Sequence, residues 1–262
     1  LNGYLNRRGR CTEILFRRKI KVYTPNNKCP MSKTTKKNTA RIKDTRAKDG
    51  AGRSVFQFKI TLNDSSPNVW RRILVPAEYT FFDLHVAIQN AMGWYDGHLH
   101  SFDIAQKGTA RPLSIRFPDP ENDSFYGETF PDERVEKIAD YFGASIKQCI
   151  YTYDFGDGWD HTILFERKLP KESSAVYPQC TAGANACPPE NCGGVPGYKR
   201  LQRILKNPRD PDFQDMMNWL CLDTPADFDP LLFDVGEVAF EDQRKRLKEY
   251  EKGFGVKPLK KK

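Results

Sequence analysis

Polar and apolar residues alternate from Val55 to Leu62 (VFQFKITL), and the alternation returns from Val69 to Val75. Successive side chains of a strand point to opposite faces, so each run predicts a β-strand. Ser66-Pro67 supplies the turn between them, and Pro76 closes the second. The pattern then changes to that of a helix over 81–92, entered through Thr80 with Asp83 three positions on and stopped by Gly93. Thr and a carboxylate at that spacing form a capping box, each side chain accepting from a backbone N–H that the helix leaves orphaned. Alternation resumes at 99–105 and 111–117, and 119–131 is a polar, proline-containing loop. Asp132 is placed as the N-cap of a helix through Phe142, because Val135, Ile138, Ala139 and Phe142 fall at helical spacing. Runs at 148–155 and 159–166 flank Gly156-Asp157-Gly158 and predict a hairpin. Residues 168–196 read as a long Pro/Gly/Cys loop. Helices follow over 198–206, 212–221 and 235–252, the last with Asp234 and Glu237 as a capping box. Strands first and helices later predict an α+β fold, with an antiparallel or mixed sheet of N-terminal strands, two inserted helices and a helical C-terminal part. No internal repeat is present.

Charge changes this picture at the two ends. The net charge of +8 suggests a nucleic-acid partner, but residues 1–53 hold 16 Lys and Arg against 3 acids, and 252–262 hold five Lys and no acid. Residues 54–251 therefore carry 21 basic against 31 acidic side chains. A phosphate backbone is repelled by most of such a surface, so nucleic acid is expected to be gripped through the basic tails only. Residues 32–53 are rich in Lys, Thr and Arg with too few apolar groups to offset their ordering entropy. The division that follows is a basic, disordered extension over 1–53, with Met31 read as the natural start, a single domain over 54–252, and a basic tail over 253–262. No stretch approaches the roughly 20 apolar residues of a membrane span, and no apolar block of the secretory kind follows the basic N-terminus. A cytoplasmic protein is expected. Seven cysteines, an odd number, favour free thiols or metal thiolates in a reducing compartment over a disulfide framework.

Candidate chemistry concentrates in 151–198. Residues 177–198 mix Pro and Gly with Tyr, Cys and Glu, which suits a specified rather than a disordered loop. Cys180, Cys187 and Cys192 fall within 13 residues. Zinc takes four tetrahedral ligands, and three thiolates from a Gly/Pro-rich loop could supply three corners, with His161, Cys149 or Cys221 as the fourth. The plainer reading is a rigid loop with buried thiols. A second constellation is His98-Leu99-His100, whose imidazoles would share a strand face with Phe102. With His161, Asp154, Asp157 or Asp160 they compose a His/carboxylate set of the kind that holds a hydrolytic metal. Against it stands the ordinary role of such histidines as hydrogen-bonded structural residues. Gly193-Gly194 with Gly197 is first a helix entry, and only second an anion site. No G-x-S-x-G elbow, Walker loop or dinucleotide fingerprint is present, and Asp154-Phe155-Gly156 lacks the companions of the kinase magnesium motif.

The segments Val69-Trp70-Arg71-Arg72-Ile73, Gly93-Trp94 with His98-Leu99-His100-Ser101-Phe102, the run from Tyr153 to His161 (YDFGDGWDH), and the run from Ala186 to Tyr198 (ACPPENCGGVPGY) occur here in that order. Together they resemble the plasmid pRiA4b ORF-3-like family, which includes TnpR-like passenger proteins of insertion sequences. Asn191 departs from the acidic residue expected there, which weakens any carboxylate pair with Glu190. The resemblance implies a single α+β domain carried on mobile elements and brings no assigned reaction. Two functions are therefore carried forward. The first is a non-enzymatic binding or accessory module with a zinc-pinned loop, using Cys180, Cys187, Cys192 and His161, around which Trp159 and Tyr198 pack. The second is a metal-dependent hydrolase or nuclease using His98, His100, Asp157 and His161.

Overall fold

In the computed structural model, which describes residues 54–119, 130–144 and 146–259, the first alternating runs form β1 (Ser54–Leu62) and β2 (Trp70–Pro76), paired antiparallel. The expectations for 1–53, most of 119–131 and the last three lysines lie outside the described residues. Five further strands follow: β3 (His100–Ile104), β4 (Leu113–Ile115), β5 (Gln148–Tyr153), β6 (Trp159–Pro170) and β7 (Gln179–Ala184). Every pairing between them is antiparallel, in the order β4-β3-β5-β6-β1-β2-β7. Five helices among the described residues complete the α+β fold: α1 (Phe81–Met92), α2 (Ile138–Tyr141), α3 (Gly194–Leu205), α4 (Phe213–Trp219) and α5 (Gln243–Gly253). None of the helices in the described residues is long and apolar enough to cross a membrane.

Helix α1 is the centre of the packing. Phe81, Leu84, Ala87, Ile88 and Ala91 join Phe56, Phe58, Ile60 and Ile73 in the main core. Phe82 and Val86 instead meet Phe117 and Tyr250, so α5 covers the side of α1 away from the main core. Each large apolar side chain buried in this way stabilises the fold by roughly 1.5–3 kcal/mol. The capping box is present as read: Asp83 N–H donates to Thr80 Oγ1 and Thr80 N–H donates to Asp83 Oδ2. Helices α3 and α4 form their own cluster through Leu201, Leu205, Met217 and Leu220.

Three elements differ from the sequence expectation. The helix through 132–142 shrinks to the single turn α2, because the segment before it serves α1. The Glu133 and Glu136 carbonyls accept from the N–H groups of Phe82 and Phe81, and Tyr79 O accepts from Ile138 N–H. A segment whose carbonyls satisfy another helix's orphan donors does not build its own ladder. The loop over 168–196 is shorter than expected, since β6 extends to Pro170 and β7 pairs with β2. The β7 sequence QCTAGA has no apolar alternation, so only the pairing edge offered by β2 makes it a strand. The last helix begins at Gln243, capped by Asp242, whereas Asp234 caps only the short turn Val235–Glu237. Between them Val238 and Phe240 pack on the main core and Glu241 N–H donates to Asn90 Oδ1, which holds that stretch off a helical path.

Candidate functional site

Antiparallel pairing of β3 with β5 and of β5 with β6 brings three connections to one end of the sheet. These are 93–99 before β3, the turn 154–158 between β5 and β6, and 185–193 ahead of α3. Their side chains brace one another. Trp94 Nε1–H donates to Pro188 O at 2.9 Å. Glu190 Oε1 accepts from Tyr153 OH at 2.7 Å and from Tyr95 N–H at 2.9 Å. Tyr153 OH in turn accepts from Gly97 N–H at 2.9 Å. Asp157 Oδ2 accepts from Gly193 N–H at 3.1 Å. Asp154 accepts from Gly156 and Asp157 N–H and closes its own turn, with His98 Nε2 3.5 Å from its other oxygen. The hairpin and the Cys/Pro/Gly loop therefore meet.

Glycine is required where they touch. Gly194 has φ +66°, and a Cβ there would overlap the Asp157 carbonyl oxygen; a Cβ at Gly197 would overlap the Cys192 carbonyl. The Gly-Gly-x-x-Gly spacing is thus a close backbone approach that starts α3. Beneath it, the Trp94 ring stacks on Tyr153 at 5.0 Å and meets the edge of His161 at 5.3 Å.

Among the described residues, Cys180, Cys187, Cys192 and His161 are not gathered into one metal-holding group. Arg71 is buried, donating to the carbonyls of Ala91, Trp70 and Ala184 with its guanidinium 3.8 Å from the centroid of the Phe233 ring. Burial lowers its pKa, and the nearby thiols of Cys187 and Cys180 oppose that shift. Burial also raises the thiols, Cys187 well above its usual range and Cys192 to about 12. A divalent cation beside Cys187 and Cys180 would meet the charge of Arg71. Nor do any three His, Cys, Asp or Glu side chains among the described residues stand together as a metal requires.

The four residues of the hydrolase reading are likewise dispersed. His98 precedes β3 and is half-buried at Asp154, lining a cavity of about 280 Å³ with Asp96, Arg246, Glu249, Tyr250 and Phe254. His100 is buried, its Nε2–H donating to Glu133 Oε2 at 2.8 Å. His161 is fully buried on β6; its Nδ1–H donates to the Tyr151 carbonyl at 3.2 Å and its Nε2 has no hydrogen-bond partner. Burial pushes its pKa down to about 4. Asp157 is bound to Gly193.

Sequence reasoning missed a buried polar network beside these groups. The His85 ring lies 3.4 Å face to face on that of His100. Gln89 Nε2–H donates to Tyr151 OH, Tyr151 OH donates to His85 Nδ1, and His85 Nε2–H donates to Asp96, each at 2.8 Å. Tyr250 OH from α5 donates to the same Asp96 oxygen. Burial lowers the His85 pKa, with Asp96 opposing. Burial acts to raise Asp96, but His85 and the Tyr250 hydroxyl hold it below the usual carboxylate range. The available signal was polar His85 and Gln89, four residues apart among the apolar residues of a helix.

The sequence matches the model of the Plasmid pRiA4b ORF-3-like protein family over residues 54–237. It is 33% identical over 167 residues to the uncharacterized protein y4hQ of Sinorhizobium fredii, covering 63% of this chain and 80% of the relative. The crystal structure of MM3350 from Methanosarcina mazei, titled a protein of unknown function, is similar with a TM-score of 0.63 and 38% identity. That likeness covers 72% of this chain and 99% of the other.

Proposed function

Because the chain belongs to the plasmid pRiA4b ORF-3-like family and its motif residues brace one another, we propose that it is a non-enzymatic binding or accessory module. Its recognition face is the end of the sheet built from 93–99, 154–158 and 185–193. One observation carries this reading. The carboxylates at this end, including the Asp157 of the hydrolase reading with Glu190 and Asp154, hold backbone N–H groups in place. Meanwhile Tyr95 and Phe155 stand 38% and 50% exposed on the braced loops. Aromatic rings on a preorganised backbone favour binding because little conformational entropy is lost on contact. The surrounding Asp154, Asp157, Asp160 and Glu190, in a domain with an acidic balance, suit a protein partner that presents Arg or Lys to the rings. The resemblance to passenger proteins of insertion sequences supports an accessory role on mobile DNA.

The test compares cross-linked partners of the wild-type chain with those of a Tyr95→Ala/Phe155→Ala variant in the native host. Both side chains are exposed, so the variant should keep its melting temperature and lose the partner. Retention of the same partner by both proteins would remove the proposed face. Turnover of a phosphodiester or ester by the wild type, abolished by His98→Ala, would replace binding with hydrolysis.

A further inference from the structure

Helix α3 carries a feature that the recognition face does not use. Tyr198, Leu201, Ile204 and Leu205 are buried, so the opposite side of the helix is held outward. That side presents Lys199, Gln202, Arg203 and, at its C-cap, Lys206, which with Ser66 line a groove of about 340 Å³ containing no acidic side chain. Gln202 Nε2–H donates to the Ser66 carbonyl at 2.7 Å, tying the groove floor to the turn between β1 and β2. Lys199 and Lys206 make no ion pair among the described residues. Arg203 is 67% exposed and lies 3.6 Å from the carboxylate of Asp210, a largely buried side chain, so its guanidinium still reaches solvent.

We infer that this groove is a phosphate-backbone contact for duplex DNA. With a rise of 1.5 Å per residue, the three cations are spread over roughly 10 Å along α3. Phosphates of one DNA strand advance about 3.4 Å along the duplex axis, so this row spans about three phosphate steps, enough for each cation to take its own phosphate. The match is to a linear polyanion, whereas a single free phosphate would engage one or two of the cations. Elsewhere the domain is acidic, which confines the duplex to this edge and to the basic ends of the chain. The contact is backbone-directed and carries no base readout.

The experiment measures affinity of the full chain for a fluorescent 20-base-pair duplex between 50 and 200 mM salt. The Lys199→Gln/Arg203→Gln/Lys206→Gln variant is compared with wild type and with Lys245→Gln/Lys248→Gln/Lys252→Gln on α5, which removes equal charge. Each lost phosphate contact lowers the slope of log K against log salt by about 0.9, so the α3 variant should lose about 2.7. Over this fourfold salt range the ratio of wild-type to variant affinity then changes by about 40-fold. An equal loss in the α5 variant, an unchanged slope in the α3 variant, or no duplex binding by wild type would each overturn the inference. So would displacement of the duplex by millimolar inorganic phosphate at constant ionic strength, which assigns the groove to a small anion, or binding of poly-glutamate as tight as that of DNA. The Tyr95→Ala/Phe155→Ala variant should keep the wild-type slope, so failure of the recognition face and failure of the groove are separate results.

Discussion

His161 offers the sharpest quantitative test of how this core is built. Its imidazole is fully buried between Trp94 and Tyr151, with Nε2 lacking a hydrogen-bond partner. Burial disfavours the imidazolium and lowers the pKa from 6.5 to about 4, against weaker support from the Tyr151 and Trp159 backbone. Above pH 6.5 the ring is neutral in both folded and unfolded chains, so it confers no pH dependence. As pH falls below 6.5, the unfolded chain takes up a proton that the folded chain refuses, and stability declines until the folded pKa is reached. At about 1.4 kcal/mol per pH unit, the loss between pH 6.5 and pH 4 is about 3 kcal/mol. The measurement is urea unfolding at half-unit intervals from pH 7 to pH 4, for wild type and His161→Phe. Phenylalanine keeps a ring in the site but cannot titrate. Asp96 and His85 contribute equally to both proteins, so the difference between the curves isolates His161. The variant should start less stable at pH 7 by the roughly 1 kcal/mol of its lost hydrogen bond, cross wild type at about pH 5.8, and be the more stable of the two by about 1.5 kcal/mol at pH 4.5. Parallel curves over the whole range would refute the burial argument.

Other substitutions probe the braces directly. Gly194→Ala introduces both a strained φ and an overlap with Asp157 O, and should cost about 2 kcal/mol or more in unfolding free energy. Glu190→Ala strands the Tyr153 hydroxyl and Tyr95 N–H and should lower stability by about 2 kcal/mol, while Glu190→Gln, which keeps an acceptor oxygen, should recover most of it in the same urea assay. Thr80→Ala removes the helix cap of α1 and should cost about 1 kcal/mol by thermal melting. Prolonged dialysis against a chelator should leave the melting temperature within a degree of its starting value, because no three candidate ligands stand together among the described residues; a fall of several degrees, reversed by zinc, would restore the thiolate reading.

Local pattern was enough for the elements whose reason is local. Alternation at Val55 to Leu62 marked β1, Thr80 and Asp83 marked the start of α1, and Gly156-Asp157-Gly158 marked the β5–β6 hairpin. In each case the interactions that choose the conformation lie within a few residues of one another. The motifs from Trp70 to Tyr198 also placed the chain in its family and pointed to the region around Tyr153 and Glu190. What pattern could not supply were the long-range choices. Whether 132–137 becomes helix depends on the orphan N–H groups of Phe81 and Phe82, some fifty residues away, and whether 179–184 becomes strand depends on the free edge of β2. The same holds for the side chains. A histidine has the same sequence signature whether it binds metal, catalyses or packs; burial and partners divide His98 at a cavity from His100 on Glu133 and His161 beneath Trp94. Likewise the basic residues of α3 disappear in an acidic domain total, and become a groove only because Tyr198, Leu201, Ile204 and Leu205 turn inward. Composition and short-range spacing thus determined the fold class, the family and the region of interest, while only tertiary packing, which sets distance, dielectric and exposure, decided what each of those residues does.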